Sequence, residues 1–162
     1  MFKELIGDRG TNSELLYDHK ALLYDKTRNL FAFPVEVDEL TPEQKADTSR
    51  VSSAYGEPVF QGAYVYTLDL TNGFQLKGKI KHYDGDYPTT CTYTVTGGVT
   101  SKSSCYTNLS RNDTIKRIIY IGDYLYTISD GKVKATKRDT MEETKALKLE
   151  TDIRDGGGPI IY

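Results

Sequence analysis

Side chains able to do acid–base or nucleophilic chemistry are sparse, beginning with only two histidines, His19 and His82. Asp18 precedes His19 in "YDHKALLYD", where an extended run (19–25) opens. Period-2 alternation would send these two side chains to opposite faces, separating a base from the carboxylate that would orient it. No serine sits in a G-x-S-x-G elbow, so a Ser-His-Asp site has no support. His82 is expected to end its strand at a polar rim. "GDRGTNSE" (7–14) has two glycines of the kind that shape an anion nest, but it lacks the phosphate-loop spacing and no strand precedes it. A surface loop is expected there.

Carboxylates in loops are the remaining chemistry. "YDGDY" (83–87) carries Asp84 and Asp86, while Asp8 and Asp18 bracket a second loop. Hard oxygen ligands in loops suit calcium, which extracellular modules bind weakly. EF-hand spacing is absent and Asp-Gly is a common turn, so these four are weak calcium candidates beside a reading as solvated turns. No other metal, no cofactor and no catalytic residue is assigned. Paired carboxylates for glycoside hydrolysis would have to converge across the fold.

The two cysteines, Cys91 and Cys105, enclose the Thr/Ser/Gly-rich stretch "CTYTVTGGVTSKSSC". A disulfide between them would contribute about 3 kcal/mol in the chain-entropy account. The spacing is not C-x-x-C and no histidine lies nearby, which disfavours a redox or metal role. The expectation is a disulfide, with two free thiols as the alternative, and a disulfide implies an oxidising compartment or a hyperthermophile cytosol. Asn108-Leu-Ser110 and Asn112-Asp-Thr114 are acceptor sequons that would suit a surface insert of an exported protein.

With thirteen tyrosines and no tryptophan, aliphatic residues and Tyr must supply most of the core. Tyr64, Tyr66, Tyr120, Tyr124 and Tyr126 alternate along predicted strands and are expected to pack between sheets. Tyr55, Tyr87, Tyr93 and Tyr106 fall in inserts and are the binding-surface candidates, because loops carry function disproportionately. The net charge of −2 gives no electrostatic case for nucleic acid. No run approaches the roughly 18 apolar residues of a membrane span. "MFKELIGDRG" also lacks the apolar core of a secretory signal, so export would require a signal upstream of residue 1.

The elements that must position these groups are strands. "HKALLYD" (19–25), "LFAFPVEV" (30–37), "FQGAYVYTLDL" (60–70) and "FQLKGKIKHY" (74–83) form a first set, the last two joined through Asn72-Gly73. "TIKRIIYIG" (114–122), "YLYTISD" (124–130), "KVKATKRD" (132–139) and "TKALKLE" (144–150) form a second. Two segments look inserted. Residues 38–57 hold a short helix with Thr41 as N-cap, Pro42 at the first helical position and Gln44 closing a capping box. Residues 84–113 hold both cysteines and read as a loop. The sets open about 95 residues apart; without the inserts that becomes about 45, close to the ~40–50 residues of a propeller blade.

The side-chain pattern agrees. "AYVYTLDL" and "RIIYIG" are apolar on both faces, unlike a sheet with one wet side. A blade sandwiched between neighbours needs this pattern, which explains why "GAYVYTL" (62–68) and "GDYLYTI" (122–128) echo each other. The predicted fold is therefore all-β: two four-stranded antiparallel propeller-type blades, a partial β-propeller, with two loop inserts. Residues 1–83 give the first blade with its N-terminal segment and insert, 84–113 the candidate disulfide loop, 114–150 the second blade and 151–162 a tail. Two blades do not close a ring, so the open faces call for further blades or other copies of the chain.

"YDHKALLYDKTRNLFAFPV" (17–35), "FQGAYVYTLDL" (60–70) and "IKRIIYIGDYLYTISDGKVKA" (115–135) resemble the secreted bacterial and archaeal β-propeller family described as distantly related to WD-40 repeats. The resemblance spans all eight strands, not the inserts, and matches the C-terminal portion of a longer protein. It implies export to the cell exterior and a propeller fold. It implies no activity, because the family has no assigned biochemical role. The functional expectation is a binding or scaffolding module for an unknown protein or glycan. The alternatives are a hydrolase with acidic residues at the channel mouth of the complete ring, and a self-associating structural protein.

Overall fold

Asp69, at the end of the longest strand, turns the chain: its carboxylate accepts from the Thr71 and Asn72 N–H groups at 2.7 and 2.6 Å. Gly73 then takes φ +73°, a left-handed conformation that L side chains rarely adopt. This turn joins β3 (Glu57–Asp69) to β4 (Gly73–Ile80). The molecule is a computed structural model that describes residues 1–49 and 51–150. The predicted tail, 151–162, lies outside the described residues.

The first sheet has the order β1-β2-β3-β4, all antiparallel, with β1 at Leu23–Asp25 and β2 at Leu30–Glu39. Leu30 faces Thr67 and Ala32 faces Val65 on one surface; Phe31 faces Tyr66 and Phe33 faces Tyr64 on the other. The expected first strand, 19–25, is shorter than predicted. Asp18 accepts from the Lys20 N–H at 2.9 Å and caps a 3-10 turn at His19–Ala21. A local side chain-to-backbone bond here overrides an extended propensity.

The second sheet has the order β7-β8-β9-β10: Arg117–Ile121, Tyr124–Ile128, Lys132–Lys137 and Glu143–Lys148. Between β2 and β3, α1 (Pro42–Ala46) carries the expected capping box, with Thr41 Oγ1 accepting from the Gln44 N–H at 3.2 Å and Gln44 Oε1 from the Thr41 N–H at 2.8 Å. The second insert is not a loop. Residues 89–107 form a two-stranded hairpin, β5 (Thr89–Thr96) and β6 (Val99–Thr107). Its Thr-rich strands suit a pleated surface, and Gly97-Gly98 at φ +61° and +80° form a turn matched to strand twist.

The two four-stranded sheets stack as adjacent blades of a partial β-propeller. Leu23, Leu30, Ala32, Ala63, Val65 and Ile80 of the first meet Ile115, Ile118 and Leu125 of the second, with Met141 against them. A polar border frames this apolar seam. Gln61 holds Ile115 by both backbone groups, its Nε2 donating to the carbonyl at 3.0 Å and its Oε1 accepting from the N–H at 3.1 Å. Lys134 Nζ donates to the Lys81 carbonyl at 2.8 Å, Lys132 to that of His82, and Arg117 pairs with Asp18. Buried Arg138 of the second blade lies 3.6 Å from Asp25 of the first, within ion-pair range but too far for a hydrogen bond.

The outward faces differ. On the first blade Val35, Val37, Tyr64 and Tyr66 are buried among Phe31, Phe33, Phe60, Phe74 and Ile6 of the N-terminal segment. On the second, Ile119, Ile121 and Leu147 are exposed. Burial is complete at the seam, partial on the first blade's other face and least on the second blade's, where Tyr126, Ile128 and Val133 are only half-buried.

Candidate functional site

The hairpin is the part of the chain built to project. It is tied to the first blade at its open end, where Thr89 Oγ1 donates to the Pro58 carbonyl at 2.8 Å, and midway along β6, where Lys102 Nζ meets Glu57 Oε2 at 2.6 Å. Cys91 and Cys105 face each other across the ladder with their sulfurs 2.11 Å apart, the distance of a disulfide. Glu57 lies close to both sulfurs. As arranged, the sulfurs bond each other and the carboxylate holds Lys102, so the three groups secure the hairpin.

Strand alternation distributes the exposed side chains of the hairpin. Tyr93 and Val95 follow Cys91 at period 2 and share the disulfide face. Tyr106 is paired with Thr90, and Val99 with Thr96, on the opposite face. All four are exposed. The hairpin is thus a narrow blade carrying one aromatic and one aliphatic contact on each side, with hydroxyl-bearing Thr and Ser between them. Such a surface offers apolar area with polar handles, the composition of a wet recognition interface.

The other two tyrosine candidates are engaged by the fold. Tyr55 is exposed, but the Arg9 guanidinium lies 4.3 Å from its ring centre and donates to its hydroxyl at 3.2 Å. Tyr87 is half-buried: it packs edge-on against Tyr83, centroids 5.3 Å apart, and donates to Glu36 at 3.3 Å. Burial, with the Glu36 charge beside it, pushes the Tyr87 hydroxyl up to about 12.

The loop aspartates divide in the same way. The Asp8 carboxylate accepts from the Leu40 N–H at 2.8 Å and pairs with Lys45 at 3.3 Å. The N–H bond, more than the lysine, holds its pKa below the usual range. Asp18 is also held low, first by its Lys20 N–H bond and then by Arg117. Asp84 and Asp86 are exposed in a turn whose Gly85 takes φ +67°.

His82 departs most from expectation. It is fully buried in the seam and not at a rim. Its Nδ1 lies 2.9 Å from Ser129 Oγ and its Nε2 2.8 Å from Thr127 Oγ1. Burial first, then the Lys134 and Lys132 charges, pushes its pKa down to about 4. A neutral ring with both nitrogens bonded joins the blades. His19 sits in the 3-10 turn well apart in role.

Two clefts adjoin the seam. One of about 80 Å³ is lined by Glu14, Glu36, Gln61 and Ile115. A larger one of about 270 Å³ lies between the outer strands, lined by Lys79, Lys81, Lys134, Tyr83, Thr136 and Glu143. Its lysines are engaged: Lys134 with Glu143, Lys81 with the Gly85 carbonyl, and Lys79 over the Tyr64 ring.

The stacked four-stranded sheets define a propeller-type protein, and comparison with known families agrees. Residues 1–141 match the family described as "Beta propeller domain", and the chain belongs to that family. Comparisons with curated proteins and with solved structures find no match. Among the described residues, no helix is long and apolar enough to cross a membrane.

Proposed function

We propose that the chain is a binding or scaffolding module of an exported β-propeller, and that hairpin 89–107 is its recognition element. The observation that carries this reading is the cross-linked, anchored ribbon with Tyr93 and Val95 exposed on one face and Tyr106 and Val99 on the other. Preorganisation lowers the ordering cost of binding, and Tyr supplies contact area with few rotatable bonds. The paired cysteines support an oxidising compartment. A protein or glycan surface with polar groups around shallow apolar patches is the matching ligand class.

The test is an array of glycans and extracellular protein domains probed with the full chain and with a Tyr93→Ser/Tyr106→Ser variant. Selective binding that falls at least tenfold in the variant supports the reading. Ligands retained at full strength by the variant would move recognition to another surface.

A further inference from the structure

The outward faces of the two blades carry complementary chemistry. On the first blade, Phe31, Phe33, Tyr66 and Phe74 form the floor of an open cavity of about 190 Å³, with Ile6 and Glu4 on its wall. Phe31, Phe33 and Tyr66 lie within 12° of parallel, centroids 5.5–6.4 Å apart, and Phe74 stands nearly perpendicular. The other half of this face shows what such rings accept: Lys79 Nζ lies 4.6 Å from the Tyr64 ring centre and 5.5 Å from that of Phe60. Over the Phe31 cluster no cation of the described residues sits, and Glu4 has no ion-pair partner among them. This half has aromatic faces and a carboxylate but lacks a cation.

The second blade's outward face has what is missing. The register places Ile119 with Tyr126 and Ile121 with Tyr124 on the surface opposite Leu125. Ile121 is 62% exposed. The same face carries Lys137, paired with Tyr124, and Lys145, paired with Ala135. Neither lysine meets a carboxylate among the described residues. The result is an aliphatic and tyrosine patch flanked by two unpaired lysines.

One chain does not bring these faces together, because the inner faces of the blades are already against each other. We infer that the second blade of one copy docks on the first blade of another, Ile119 and Ile121 over the Phe31 cluster and Lys137 or Lys145 toward Glu4. The seam inside the chain is the template for this contact: apolar sheet on apolar sheet, with lysines tying the margin. The contact is heterologous, since each copy uses a different face. It leaves one face of each kind at the ends, so copies add head-to-tail until a ring closes or a filament grows.

Two variants isolate the faces without touching the seam. Glu4→Lys/Leu76→Lys spoils the first blade's face by repelling the incoming lysines; Leu76 pairs with Tyr66 and is half exposed. Ile121→Asp spoils the second blade's face by setting a carboxylate against the Phe31 ring cluster. Mass is measured by light scattering from low micromolar to several hundred micromolar, with circular dichroism to establish that each variant is folded. The wild-type chain is expected to increase in mass with concentration, and each variant alone to stay monomeric. An equimolar mixture of the two variants should associate, because one intact face of each kind remains. Wild-type protein that stays monomeric at the highest concentration overturns the proposal. So does Ile121→Asp protein that still associates, or a mixture that does not.

Discussion

Thr127 of the second blade faces His82 of the first, with Oγ1 2.8 Å from Nε2, in a seam from which water is excluded. The Ser129 hydroxyl donates to the Asn112 carbonyl, so on the other side it accepts from His82 Nδ1–H. Nε2 is then the acceptor of the Thr127 hydroxyl. This tautomer satisfies every polar atom of the ring, and a second ring proton would face a hydroxyl already oriented to donate. Lys132 and Lys134 oppose the charge as well, while Asp113 and Glu143 only partly offset them.

The blade seam is therefore acid-sensitive. The folded-state pKa of His82, about 4, lies below its ordinary 6.5, so the unfolded chain binds the proton more readily between those values. The associated stability is fully present above pH 6.5 and is lost as pH falls toward 4. A shift of this size corresponds to about 3 kcal/mol, to order of magnitude. Urea unfolding at several pH values from 7.5 to 4 measures it. His82→Gln should lower stability at pH 7.5 and show a flatter pH dependence in that window. The same slope in both proteins would assign the acid sensitivity to other groups.

Gln61 reaches across the blades to satisfy both backbone groups of buried Ile115. Gln61→Leu keeps much of the volume but strands a buried N–H and a buried C=O. With about 1–3 kcal/mol for each group, the expected loss is about 2–6 kcal/mol. Denaturant unfolding gives the total, and hydrogen exchange at the Ile115 amide shows whether the loss is local. A variant as stable as wild type would mean that this pairing is replaced by water at no net cost.

Leu125 and Ile121 sit four residues apart across one turn yet differ in role. Leu125 is fully buried in the seam, whereas Ile121 lies on the outward face. Leu125→Ala should cost about 2–5 kcal/mol, with a cavity between the blades. Ile121→Ala should stay within about 0.5 kcal/mol at concentrations where the chain is monomeric. Thermal unfolding of dilute protein distinguishes them, and equal losses would contradict the assignment of faces.

The sequence reveals these faces only in part. Alternation in "LFAFPVEV" and "AYVYTLDL", with the Asn72-Gly73 turn, makes β2, β3 and the next strand legible because each signal is local. The Thr41–Gln44 capping box is legible for the same reason. Hairpin 89–107 is not, since its strands are Thr- and Ser-rich without an apolar face, and composition alone reads them as loop. The role of His82 is hidden because its partner Thr127 is 45 residues away and enters only when the sheets stack. Apolar character on both sides of "RIIYIG" shows that two covers are needed, but not which neighbour supplies the second.

The hairpin should open as an independent unit. It is fastened to the first blade by Thr89 at its open end and by Lys102 midway along β6, and its order rests in large part on its ladder and the Cys91–Cys105 link. In the chain-entropy account the link contributes about 3 kcal/mol. That contribution is confined here to a segment with few buried apolar contacts, the low-stability end of a fold. A Cys91→Ser/Cys105→Ser variant should therefore exchange amide hydrogens faster across 89–107 while amides of β2, β3 and β8 keep wild-type protection. Hydrogen-exchange mass spectrometry with peptide resolution reads both regions in one experiment. Faster exchange throughout both blades would show that the hairpin supports the seam, and with it the view of 89–107 as a projecting recognition element would fall.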